Sequence, residues 1–331
     1  MYFAPMHFPR TLLFLAFSLV SGTIVRAASS SESVVFKEIC DASAIVSVTD
    51  DLFAVANDED NLLRFYRWNR PGSPVYTSQL NAMFFGKKKA PEMDIEATAR
   101  LGQQIFWITS HGRNRKGKAA PERCGFFALE ISESNGEIIL RQTGKLYTHL
   151  LDDLFREPKL ATFDLANAAK LAPKARGGLN IEALAATPSG ELLIGFRNPI
   201  PQGRALIVPL LNPEDLLSGK RARFGDAILL ELNGLGLRGM ESVEGGYYLI
   251  AGPADGGGVS QLFFWKGDES KPQPVTDIHF PGLNPEGICV VNGSQSELIL
   301  LSDDGAREVN GKECKDLPKS QRQFRALRVT R

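Results

Sequence analysis

From residue 33 onward the apolar residues of this chain come in short bursts, each closed by Gly, Pro, Asn or Asp. Many bursts are rich in Val, Ile, Phe, Tyr and Trp, the residues that fit a pleated, half-buried surface. Short β-branched and aromatic runs bounded by turn residues read as strands. The bursts also recur as a group, and a recurring group signals a repeat architecture. Asp94-Ile95-Glu96-Ala97 returns as Asn180-Ile181-Glu182-Ala183. Looser copies are Arg238-Gly239-Met240-Glu241-Ser242 and Asn284-Pro285-Glu286-Gly287, and a degenerate first copy is Asp41-Ala42-Ser43-Ala44.

A short apolar strand follows each copy, and then a turn. Stronger second strands are predicted at 52–56, 105–110, 191–196, 247–251 and 297–302. Third strands follow at 64–68, 126–129, 205–208, 262–265 and 324–327, and fourth strands at 74–80, 137–142, 227–232 and 274–279. The fifth unit runs out of chain after its third strand, whereas 33–39 is a strand without a unit. Pairing the two closes the ring, and closure removes open edges that would invite aggregation. The expectation is an all-β, five-bladed β-propeller, or a six-bladed one if a further blade hides in the longest interval. That interval, from Glu96 to Glu182, is 86 residues, against 59 and 45 for the next two. Within it the period turns helical between about 145 and 178, on Leu150, Leu151 and Leu154 and then Phe163, Leu165, Ala166 and Ala169.

The first 27 residues read as an export signal: Arg10, an apolar stretch over 12–25, then Val25-Arg26-Ala27 with small residues where a signal peptidase looks. Cleavage near Ala27 leaves a single propeller domain over 28–331, in the periplasm or outside the cell. No later segment reads as a membrane helix. Full-length charge is balanced at 38 basic and 38 acidic residues, and loss of Arg10 and Arg26 makes it slightly acidic. That balance gives no footing for nucleic acid or an anionic membrane, so a monomer with a small-molecule partner is expected. Four cysteines follow the signal: Cys40, Cys124, Cys289 and Cys314. Their spacing fits no zinc pattern, and the oxidising compartment permits disulfides. A bridge from Cys124 to Cys314 is expected across the long loop 303–321, with Cys40 as the competitor and Cys289 a buried thiol.

The repeat decides where chemistry can gather. In a propeller the first strand of each blade lines the central channel, and the second returns to the face where the first began. One mouth should therefore collect Glu96, Glu182, Glu241 and Glu286, with Ser43 in the fifth place. Asp58, His111, Arg197, Arg238, Asp303 and Asp304 should surround them, under the long loops where function usually sits. Crowded carboxylates favour a hard cation such as calcium, for which Glu182, Glu241 and Glu286 are the expected ligands. Crowding can also raise one pKa and make a general acid beside a base, which nominates Glu182 and His111 as catalytic. Glu96, Arg197, Arg238 and Asp303 would then bind a small anionic ligand, with Arg113 as a further basic neighbour. The plain alternative for a motif Glu is a repeated acceptor for the next blade's backbone N–H groups. For His111 the plain alternative is an exposed turn histidine. No serine-hydrolase elbow, P-loop, dinucleotide fingerprint or H-E-x-x-H helix is present.

The run over 180–212, with Asp94-Ile95-Glu96, Ser110-His111-Gly112-Arg113-Asn114, Asn284-Pro285-Glu286 and Ser302-Asp303-Asp304-Gly305, resembles a secreted bacterial family known only as a domain of unknown function. That family is similar, more distantly, to phytase-like secreted esterase propellers. The resemblance implies a propeller, and calcium or phosphoester chemistry. It carries over no catalytic residue. The functional expectation is a secreted propeller that binds a small anionic ligand, with cation-dependent ester or phosphoester hydrolysis as its activity. A non-catalytic protein- or glycan-binding propeller is the alternative.

Overall fold

The computed structural model describes residues 1–2, 33–86, 89–294 and 296–330. Residues 3–27 of the expected export signal lie outside them. The chain separates into Met1–Ser30 and Ser31–Arg331. Of the first unit, Met1 and Tyr2 are described, and both are exposed. The second unit is the propeller.

Five four-stranded antiparallel sheets make five blades. Blade 5 is completed from the other end of the sequence by β1 (Val34–Lys37). Blade 1 is β2 (Ala42–Ser47), β3 (Leu52–Asn57), β4 (Leu62–Arg67) and β5 (Tyr76–Gln79), followed by helix α1 (Leu80–Phe85). Blade 2 is β6 (Ile95–Leu101), β7 (Gln104–Thr109), β8 (Phe126–Ser134) and β9 (Glu137–Tyr147). Between blades 2 and 3 come the helical turns α2 (Leu150–Arg156), a 3-10 turn (Pro158–Phe163) and α3 (Leu165–Ala168). Blade 3 is β10 (Asn180–Ala186), β11 (Leu192–Asn198), β12 (Ala205–Leu210) and, after α4 (Pro213–Leu216), β13 (Ile228–Leu230). Blade 4 is β14 (Gly236–Val243), β15 (Gly246–Gly252), β16 (Gln261–Trp265) and β17 (Gln273–Pro274). Blade 5 starts with β18 (Pro285–Val290) and β19 (Glu297–Ser302). A ribbon of β20 (Glu308–Val309) and β21 (Lys312–Glu313) follows, and then β22 (Gln323–Thr330).

The ring closes as the sequence requires. β1 pairs antiparallel with β22, Val34 opposite Ala326 and Lys37 opposite Gln323. Phe36 is fully buried, with ring centroids 5.1 Å from Phe53 and 5.4 Å from both Tyr66 and Phe324. The closing strand is thereby anchored to both blade 1 and blade 5. The core repeats as layers of apolar side chains between neighbouring blades, such as Phe106, Phe126 and Ile108 against Leu184, Ile194 and Leu206. Leu150, Leu154, Leu160 and Leu165 add to that same layer from the helical turns.

The disulfide differs from expectation. Cys314 is bonded to Cys40, and Cys124 and Cys289 are free. The loop after β19 does not stretch across the ring toward blade 2. It spends its residues on the β20–β21 ribbon and a 3-10 turn (Cys314–Asp316). Backbone bonds then fold it onto its own seam: Asp304 N donates to the Cys40 carbonyl at 2.9 Å, and Cys314 N to the Arg307 carbonyl. Cys40, at the end of the closing strand, is what that loop meets.

Candidate functional site

Each innermost strand carries a β-bulge near its start, and the bulges decide what faces the channel mouth. Register shifts fall between Ile95 and Ala97, Ile181 and Ala183, Leu237 and Gly239, Pro285 and Gly287, and Ala42 and Ile45. The residues set in the bulges are therefore Glu96, Glu182, Arg238, Glu286 and Ser43. A bulge re-aims a side chain, which is why bulges gather at barrel rims and sites. The residue after each bulge is small: Ala97, Ala183, Gly239, Gly287 and Ala44. Close backbone approach requires it in blades 4 and 5. A Cβ on Gly239 would stand 2.4 Å from the Glu286 carbonyl, and one on Gly287 would stand 2.8 Å from the Ser43 carbonyl.

Glu241 is thus not a member of the ring. It lies three residues further along β14, paired with Tyr248 across the blade, and its carboxylate accepts from Val290 N at 3.1 Å. With Arg100 it lines a cavity of about 250 Å³ among the far ends of the inner strands. The fourth copy differs from the sequence expectation: its bulge falls on Arg238 and not on Glu241. The repeat is an apolar residue, a bulge residue and a small residue, and Leu237-Arg238-Gly239 fits it with arginine in the middle.

Glu96, Glu182 and Glu286 converge. One carboxylate oxygen from each lies within 4.8 Å of the others, and all three residues are buried. Glu182 Oε1 accepts from Arg197 Nη1 at 2.6 Å and from Asn180 Nδ2 at 2.5 Å. Glu182 Oε2 is buried with no hydrogen bond, 3.5 Å from Arg238 Nε. Arg238 donates to Glu286 and, at 3.0 Å, to Asn284 Oδ1, and it stands 3.8 Å from Asp303. Ser43 Oγ donates to the Ile95 carbonyl at 2.6 Å. The space between these groups has a volume of about 10 Å³, room for one water-sized species or an ion and not for an organic molecule.

Charge at this mouth is unbalanced. Asp41, Asp58, Asp94 and Asp303 stand with the three glutamates, against Arg123, Arg197 and Arg238. Burial above all, and the acidic neighbours after it, make five of these carboxyls hold their protons tightly: Glu286, Asp41, Asp94, Glu96 and Asp58. Burial, with Asp303 and Glu182 against the relief from Arg238, pushes Glu286 up to about 8. Burial, Asp303 and Glu59 push Asp41 up to about 7. Burial takes Asp94 to about 6, although Arg123 opposes it. Glu96 and Asp58 are held well above the ordinary range by burial and by their acidic neighbours. Asp58 Oδ1 and Asn180 Oδ1 are sealed from solvent without a donor. A buried acceptor without a partner costs about 1–3 kcal/mol. An oxygen-seeking cation would relieve several of these groups together.

His111 is 2% exposed and not the exposed turn histidine of the plain reading. Its Nδ1 is 2.7 Å from the Thr109 carbonyl, which as an acceptor puts the ring proton on Nδ1. Nε2 is then a bare lone pair, buried and without a partner. Burial holds the imidazole down at about 4, so it is neutral at physiological pH. Arg113 is not at the mouth. It donates to the carbonyls of Ala169 and Gly117, and so ties down the helical turns. Asp304 is buried under Arg325 and Arg307, a role inside blade 5.

Among the described residues no helix is long and apolar enough to cross a membrane. The model of a family described as "Protein of unknown function (DUF3616)" matches residues 132–308. No curated protein matches the chain. Solved structures similar to it include Myxococcus xanthus glutaminyl cyclase, at 10% identity, 91% of this chain, 95% of that chain and a TM-score of 0.47. A GH43 β-1,3-galactosidase with galactodeoxynojirimycin is similar at 10% identity, 88% and 90% coverage and a TM-score of 0.47. A gluconolactonase from Xanthomonas campestris is similar at 12% identity, 82% and 74% coverage and a TM-score of 0.39. Likenesses this distant carry no argument about chemistry.

Proposed function

We propose that this chain, which belongs to the DUF3616 family of proteins of unknown function, is an exported propeller that binds a divalent cation in its ring and a small anionic ligand at the mouth above it. The observation that carries the reading is the convergence of Glu96, Glu182 and Glu286. Calcium takes six to eight oxygens at 2.3–2.6 Å, so opposite oxygens of its shell stand about 5 Å apart. Three carboxylate oxygens within 4.8 Å of one another suit such a shell. Calcium would satisfy Glu182 Oε2, which accepts no hydrogen bond and has only the Arg238 guanidinium at 3.5 Å. The Cys40–Cys314 bridge supports a periplasmic or extracellular setting.

The finer proposal is hydrolysis of an ester or phosphoester, the chemistry that the sequence resemblance to phytase-like propellers implies. In it Arg197 holds the anionic group. Glu182, as a ligand of the cation, and the bare Nε2 of His111, as the base, are the catalytic candidates. Calcium, when bound, supplies positive charge next to the ligand's oxygens.

Calcium titration by calorimetry and by thermal shift tests the reading. Binding at 100 times Kd stabilises by about 2.7 kcal/mol, which raises Tm by several degrees. Glu182→Gln should abolish that rise. A screen of phosphoesters and lactones with and without calcium then tests the chemistry, and loss of turnover in Glu182→Gln and His111→Ala would support it. A chain indifferent to calcium overturns the cation. One observation favours a second reading, a non-catalytic module that binds protein or glycan on its long-loop face. Arg197 and Arg238 already donate to Glu182 and Glu286, as they would in a purely structural ring. Calcium indifference together with an empty substrate screen would favour it.

A further inference from the structure

The ring has no room for an organic molecule, but a large pocket lies beside it. Its volume is about 1010 Å³. It is bounded by the helical turns before β10 and by the loops that follow β11 and β15. All three segments meet their strands at the mouth side of blades 3 and 4. Much of the wall is apolar: Phe163, Leu171, Ile200, Leu235 and Pro253 among others. Leu171 is 43% exposed there. The charged part of the wall is Lys170, Lys174 and Arg176 against Asp164 and Asp255. None of these five forms an ion pair among the described residues. Lys170 Nζ is spent on Asn167 Oδ1, and Asp164 and Asp255 accept from Asn167 Nδ2 and Gly257 N.

Two cations converge beside the pocket: Lys174, which is in its wall, and Arg197, which stands outside its lining. A Cβ on Gly256 would stand 3.2 Å from Lys174 Nζ and 3.3 Å from Arg197 Nη2. Gly256 has φ +88°, a conformation that glycine adopts without strain. A side chain at this position would run into both cations. Arg197 is 3% exposed and held rigidly, its Nη1 on Glu182 and its Nε on the Pro253 carbonyl at 3.1 Å. Among the described residues its Nη2 makes no hydrogen bond. Asn198 fixes the other cation's loop from below, and its Nδ2 donates to the carbonyls of Pro173 at 2.9 Å and Ala175 at 2.6 Å.

We infer that this pocket binds an amphipathic organic anion, with its carboxylate or phosphate group between Lys174 and Arg197 and its apolar body on the Phe163–Leu171–Leu235 wall. Pockets of this size with apolar walls and a few fixed polar groups are the usual form of small-molecule sites. Two cations converging beside an apolar wall select an anionic head. The inference names the class of ligand for the proposed function and rests on that reading in using Arg197, but the two are tested apart.

Phenyl phosphate is the probe, titrated by calorimetry into the full chain, with inorganic phosphate as the head-only control. Burying the ring should make phenyl phosphate at least about tenfold tighter than inorganic phosphate. Lys174→Glu with Arg176→Glu, both at exposed positions, should weaken it by at least about tenfold through charge reversal. Leu171→Asp should bring phenyl phosphate close to the inorganic phosphate value. Calcium binding should be unchanged in all these variants. The inference is overturned if phenyl phosphate binds no tighter than inorganic phosphate, or if neither the double variant nor Leu171→Asp weakens it. Normal phenyl phosphate binding in a chain that ignores calcium would sink the cation and leave the pocket standing.

Discussion

The seam that closes the ring and the mouth of its channel are both built from residues far apart in sequence, yet they are held in opposite ways. At the seam every contact is favourable by itself. Phe36 packs into Phe53, Tyr66 and Phe324, the Tyr66 hydroxyl donates to the Lys37 carbonyl at 2.8 Å, and Cys40 is bonded to Cys314. At the mouth most neighbours repel. Glu96, Glu182 and Glu286 are pressed together, and the arginines between them relieve only part of the crowding. A seam of the first kind is a stability device. A mouth of the second kind is charge placed against its preference by a rigid scaffold, and such placements cluster at functional sites.

The largest effects should separate the two regions by their response to calcium. Phe36→Ala should cost about 3–5 kcal/mol by urea denaturation, the range for a fully buried aromatic, and calcium should not restore it. Arg238→Gln leaves Glu286 and Glu182 without a shared partner, a loss of about 3–5 kcal/mol for a broken buried pair. Calcium should restore part of this second loss, and should bind the variant more tightly than it binds the parent chain. Rescue of both variants, or of neither, would break the distinction. The Cys40→Ser and Cys314→Ser pair comes next, at about 2–4 kcal/mol. Non-reducing peptide mapping should recover Cys124 as a free thiol.

Much of the seam was legible in the sequence, and the mouth was legible only in part. The stray strand at 33–39 and the missing outer strand of blade 5 are visible as apolar runs, and antiparallel pairing needs nothing else to join them. Glu96, Glu182 and Glu286 each sit between an apolar and a small residue, so their equivalence could be read directly. Arg238 could not be read by matching acids, because the ring position is defined by backbone geometry and not by charge. The small residue after the bulge was the available signal. The Cys40–Cys314 pairing is not legible because loop length says how far a loop can reach, not whether its own ribbon and turns will use that length. The pairing of Lys174 with Arg197 across Gly256 depends on loops that share no pattern, and no spacing announces it.

A smaller effect follows from the protons held at the mouth. A carboxyl that binds its proton more tightly in the folded chain stabilises below its unfolded value and loses that contribution as pH rises through its folded value. Asp94 at about 6, Asp41 at about 7 and Glu286 at about 8 place this loss between pH 4 and 8. His111, held down at about 4, works in the opposite direction, but only below the ordinary imidazole value of about 6.5. From pH 6.5 to 8 the carboxyls act unopposed, so stability in EDTA should fall across that window. Calcium should flatten the slope by compensating the ionised forms. A slope unchanged by calcium would mean that the mouth titrates without binding the ion.

Glu241→Gln should have the smallest effect on stability, and it tests the register of the ring most directly. If the fourth repeat were aligned on its glutamate, Glu241 would be a ring carboxylate, and its loss would weaken calcium binding as Glu182→Gln does. In the observed register it lies away from the ring and accepts one bond from Val290 N, which a glutamine oxygen can also accept. Burial raises its carboxyl to about 8, against the Val290 N–H and Arg100, so the folded chain already favours a neutral group there. The substitution should therefore change stability by less than about 1 kcal/mol at pH 7. It should leave calcium affinity unchanged and remove only the part of the pH slope that Glu241 contributes between about 4.5 and 8. Calorimetric titration of Glu241→Gln beside Glu182→Gln separates the registers. A matched loss of calcium binding in both would return Glu241 to the ring and displace Arg238 from it.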